Sequence, residues 1–69
     1  MESFEEEYIA KQEHLIALQK IVIGMYEYEL YSMPDMEEKY RHKIKDEIYK
    51  SRQLMRVIQI QIDNLKGNI

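Results

Sequence analysis

Pro34 is the only proline in this 69-residue chain, and it stands near the middle. A proline inside a helix removes one backbone hydrogen bond and clashes with the preceding turn. On either side of it lie about thirty residues with helical apolar spacing and only two glycines in the whole chain. The expectation is two long helices, over about residues 4–31 and 34–66, joined by a short Ser/Pro turn. A turn that short between long helices folds them back antiparallel. The fold class is therefore all-α, a helical hairpin, with residues 1–69 as one domain.

Local signals support these bounds. Ser3 followed by Glu6 matches a capping box. Ser32 reads as the second N-cap, Asp35 as its short partner, and Tyr31 with Met36 as the staple around it. Asp35–Lys39, Glu37–Arg41, Glu38–His42 and Asp46–Lys50 place an acid four residues before a base. Gly67 is a C-cap candidate, with Lys66 at the negative end of the helix dipole.

The two halves differ in how much cover they need. In the second, Tyr40, Ile44, Ile48, Ser51, Met55, Ile58, Ile62 and Leu65 recur at steps of four and three, which makes one apolar stripe. The first half carries several. Tyr8, Leu15 and Val22 form one row, and Ile9, Ile16, Ile23 and Leu30 a second at a seven-residue period. Leu18 and Met25, with Ile21 and Tyr28 further round, form a third. Ala10, Ala17 and Gly24 leave room for a neighbouring backbone. Such an arc exceeds the roughly 100° that one partner helix covers. A chain this small buries only about 60% of the surface its unfolded form exposes, and without cysteine it has no disulfide to compensate. The missing cover is then a protein partner. A homodimer forming a four-helix bundle is the first expectation and a hetero-complex the second; a monomer with snorkelling tyrosines is the third. The residues assigned to partner binding are Ile9, Ile16, Ile23, Leu30, Ile21, Met25, Tyr26, Tyr28 and Tyr31.

Chemistry is sparse. His14 and His42 fall far apart along a hairpin, no Glu-x-x-His pair is present, and there is neither a phosphate-binding glycine loop nor a cysteine nucleophile. Glu29 and Glu47 intrude on apolar arcs and are expected to reach Lys39 or Lys43, and Lys20, respectively. The expectation is no enzyme activity, no metal and no cofactor. Arg41, Lys45, Arg52 and Arg56 fall within about 60° of one another on the second helix, a basic ridge with Tyr49 beside it. That ridge supports the alternative of a small dimeric nucleic-acid-binding regulator. The acidic first half opposes it: ten acids against two lysines leave residues 1–38 at −8, where residues 39–56 stand at +5. No stretch reaches the roughly 20 apolar residues of a membrane span. The acidic start "MESFEEEY" is unlike a basic secretory signal, so a cytoplasmic location is expected.

Three stretches carry a resemblance: "MESFEEEY", the turn "SMPDMEEKY" with Asp35 five residues before Tyr40, and the apolar-rich end "LMRVIQIQIDNLK". In these the chain resembles the small helical-hairpin co-chaperones of the type III secretion needle subunit. It departs from them in having Pro34 where small residues or glycine are usual. The resemblance implies a hetero-complex with a helical-repeat chaperone, the two together sequestering an aggregation-prone needle subunit.

Overall fold

The computed structural model describes residues 3–67. They form two helices, α1 (Phe4–Ser32) and α2 (Glu38–Gly67), packed along each other. Ile9 meets Ile58 and Ile62 at the open end, and Ile23 meets Ile44 and Ile48 toward the connection, so the pair is antiparallel. The hairpin is 52 Å long, the length set by helices of 29 and 30 residues.

α1 starts as its sequence dictates. Ser3 is extended, and its Oγ accepts a hydrogen bond from the Glu6 amide at 3.2 Å. Glu5, Glu6 and Glu7 then occupy the first turn, at the positive end of the dipole.

The connection differs from the expectation. Ser32 does not cap α2; it is the last residue of α1, and its hydroxyl donates to the Tyr28 carbonyl at 2.7 Å. The break comes one residue later, at Met33 (φ −125°, ψ 72°). A residue before proline is driven out of the helical region, and Pro34 imposes that on Met33. The Met36 amide then donates to the Met33 carbonyl at 3.2 Å, closing a turn with Pro34 and Asp35 at its centre. α2 therefore opens at Glu38 rather than at Pro34, and its first helical bond runs from the Arg41 amide to the Glu37 carbonyl, 2.9 Å. Asp35 and Glu37 lie before the helix, so the pairs expected with Lys39 and Arg41 do not form. Glu38–His42 and Asp46–Lys50 do meet, at 3.6 and 3.0 Å. At the other end, Gly67 is the last helical residue and does not adopt a positive φ. Residues 68 and 69 lie outside the described residues.

Among the described residues the buried core is made of isoleucine alone: Ile9 and Ile23 from α1, and Ile44, Ile48, Ile58 and Ile62 from α2. It is divided in two. Ile16 and Leu65 pack on the open-end cluster, while Tyr26, Leu30, Met36 and Met55 pack on the other. Half-buried Ser51 sits mid-stripe between them and contributes little apolar surface. Among the described residues, no buried polar side chain interrupts either cluster, and no helix is long and apolar enough to cross a membrane.

Ile62 is fully buried and Ile60 is 55% exposed. Ile62→Ala is expected to cost about 2–5 kcal/mol, by lost burial and the cavity it leaves. Ile60→Ala should cost less than about 1 kcal/mol. Urea unfolding monitored by helical circular dichroism checks the contrast; equal costs would contradict the seam.

Candidate protein-interaction surface

An α-helix turns about 100° per residue. On α1 this brings Ile9, Ile16, Ile23 and Leu30 into one strip, and α2 covers that strip. The sequence sets these four against a partner; within the hairpin, Ile9 and Ile23 are buried and Ile16 and Leu30 half-buried against α2. They form α1's half of the hairpin's own seam: theirs is the row of four large aliphatic side chains that runs nearly the whole length of α1 along the α2 stripe. Tyr26 is likewise drawn partly inward, against the cluster of Ile23, Ile44 and Ile48.

The other four residues of that set stay in the open. Ile21, Met25, Tyr28 and Tyr31 are 60, 66, 74 and 86% exposed. Ile21, Met25 and Tyr28 lie on the side of α1 turned away from α2, and Leu18 joins them there, also exposed. Leu18, Ile21, Met25 and Tyr28 succeed one another at steps of three, four and three. This is a second coiled-coil-type stripe, about 180° from the first. Leu18 is absent from the expected site residues, although the 18-21-25-28 spacing identifies it. α1 thus carries an apolar seam on both sides, and α2 occupies only one.

Polar contacts mark the remaining flanks. On one, Arg52 donates to Glu27 Oε1 at 3.1 Å and Lys66 Nζ stands 3.8 Å from Glu13 Oε2. These pairs are largely exposed and each contributes at most about 1 kcal/mol. The expected basic ridge runs along this flank, but two of its members are engaged within the hairpin. Arg52 holds Glu27, and Arg41 donates to the carbonyls of Met33 and Pro34 at 3.3 and 3.2 Å, tying down the connection. Lys45 and Arg56 are exposed, with no ion-pair partner among the described residues.

The other flank carries Glu29, about 200° round α1 from Glu27. Neither Lys39 nor Lys43 reaches it; Glu29 Oε1 instead accepts from the Tyr40 hydroxyl at 3.2 Å. That bond, and then the charge of the carboxylate, raise the phenol's pKa above its ordinary value. Glu47 stands 3.8 Å from Lys50, not beside Lys20. Asp46 and Glu47 together raise the Lys50 pKa, Asp46 by more. His14 and His42 are exposed and far apart in the chain. Among the described residues, no three metal-binding side chains gather. A depression of about 600 Å³ opens at the connection, lined by Met33, Pro34, Met36 and Tyr40 among others. No protein-family model, curated protein or solved structure matches the chain.

The Tyr40–Glu29 bond requires the phenol proton. Its folded pKa is raised, so its contribution to stability is complete below the ordinary tyrosine value of about 10 and fades as pH rises through the higher folded value. Glu29→Gln should return the Tyr40 titration toward the ordinary value. Ultraviolet titration of single-tyrosine variants checks this; an unchanged pKa would remove Glu29 as the cause.

Proposed function

We propose that this chain is a non-enzymatic protein-interaction module of the adaptor, co-chaperone or small-inhibitor kind, and that its binding surface is the outer face of α1. One observation carries the reading: Leu18, Ile21, Met25 and Tyr28 stand exposed in a regular helical stripe, while the buried core among the described residues is six isoleucines. A chain so poor in core gains more from covering such a stripe than from leaving it wet, by about 25 cal/mol for each Å² of apolar surface removed from water. Tyr28 and Tyr31 extend the surface toward the connection, where tyrosine suits a contact that is apolar at one end and wet at the other.

The hetero-complex implied by the co-chaperone resemblance and the self-associated form both use this face. We place this function in the cytoplasm as part of the same proposal. The nucleic-acid reading has weaker support, since Arg41 and Arg52 are engaged within the hairpin and Glu27 lies on the same flank.

A photo-crosslinking amino acid placed in cells at Ile21, Met25 or Lys50 tests the reading. Protein adducts are expected from Ile21 and Met25 and not from Lys50, which lies on α2 and pairs with Asp46. Adducts from none of the three, or from all three alike, would overturn it.

A further inference from the structure

Gly24 has no role in the hairpin. It sits mid-helix in α1 without a positive φ, and a Cβ added there would meet nothing within 4 Å. A glycine in a helix interior costs roughly 0.8–1 kcal/mol relative to alanine. Neither backbone freedom nor close packing inside this molecule accounts for it. It borders the exposed stripe of Leu18, Ile21, Met25 and Tyr28, as does Ala17 one heptad earlier.

The stripe is complementary to itself in one direction only. Set two α1 helices antiparallel with their midpoint at residue 23. Leu18 then lies level with Tyr28 of the second copy, and Ile21 with Met25, so each layer pairs a smaller side chain with a longer one. Along one border the two Gly24 residues meet close to the midpoint, and Ala17 comes beside Tyr31 of the second copy, the most exposed large apolar side chain among the described residues. Helix separation depends on the size of the side chains at the contact, about 8–10 Å, and glycine opposite glycine permits the near end of that range. Beyond the apolar layers, Lys11 comes near the end of the second copy's α1, where the connection carries Asp35 and Glu37. Lys11, Asp35 and Glu37 form no ion pair among the described residues, so these charges are unspent within the hairpin. A parallel pairing instead sets Lys11 against Lys11 and Tyr28 against Tyr28, and so brings like charges together.

We propose that the outer face of α1 is covered by a second copy of this chain, antiparallel, with the Gly24 pair at the centre and each α2 on the outside. The proposal rests on the reading of that face as an interaction surface, and it names the occupant.

The chain has no cysteine, so introduced cysteines report the register directly. Mixing the full-length single variants Ile21→Cys and Met25→Cys and oxidising the mixture should give the 21-to-25 heterodisulfide in clear excess over both homodisulfides. Light scattering of the unmodified chain should give twice 8.5 kDa as concentration rises. Gly24→Leu should weaken this dimer tenfold or more and leave helix content unchanged. Homodisulfides in excess, a statistical mixture, a chain monomeric at every concentration, or a dimer indifferent to Gly24→Leu would each overturn the proposal. Photo-crosslinks from Ile21 to other proteins would survive that failure and keep the interaction surface; their loss as well would remove both.

Discussion

The contact of Ile9 and Ile23 with Ile44, Ile48, Ile58 and Ile62 decides every other feature of the molecule. Isoleucine is stiff at its branched carbon, so it loses little rotamer freedom on burial and holds a fixed shape in the seam. A seam built this way fixes the rotation of α1 about its own axis. Once Ile9, Ile16, Ile23 and Leu30 face α2, the stripe of Leu18, Ile21, Met25 and Tyr28 must face out. The exposed apolar surface is a geometric consequence of the core. The hairpin cannot bury both stripes with one partner helix.

The connection depends on the same seam by a different route. Both helices have to end at nearly the same level for their isoleucines to meet. Pro34 enforces that end by moving Met33 out of the helical region, and the Met33–Met36 turn reverses the chain. Arg41 then holds the carbonyls of Met33 and Pro34 from the first turn of α2. A side chain that reads in the sequence as part of a basic ridge is here a brace for the turn. With Arg52 held by Glu27, the flank most suited by sequence to a polyanion is partly neutralised by the fold itself.

Much of the architecture is legible in the sequence, and the misses have physical causes. The Ser3 cap, both helices and the α2 stripe from Ile44 to Leu65 come from spacing that allows one arrangement. α1 is harder. Three apolar rows compete on one helix, and periodicity alone does not say which of them α2 takes. It takes the row with large aliphatic side chains along the whole length of its own stripe, and that match is a property of the pair. Ser32 misleads because a serine near a proline suits a helix start and a helix end alike; its hydroxyl bonds backward to Tyr28 rather than forward. Met33-Pro34-Asp35 carries the better signal, since proline with aspartate after it at the centre of a turn is a common chemistry. Pairing Glu29 with lysines weighs charge and neglects reach; Tyr40 is the donor that meets it.

The central claim is that α1 has two apolar faces, one covered within the hairpin and the other covered only by association. Isoleucine methyl signals in the presence of a soluble paramagnetic probe, recorded over a range of protein concentration, test it most directly. The account predicts that Ile9, Ile23, Ile44, Ile48, Ile58 and Ile62 are shielded at every concentration and that Ile60 is never shielded. Ile21 should pass from exposed to shielded as the chain associates. An Ile21 that stays as exposed as Ile60 throughout, or an Ile9 and Ile23 that are open in dilute solution, would contradict it.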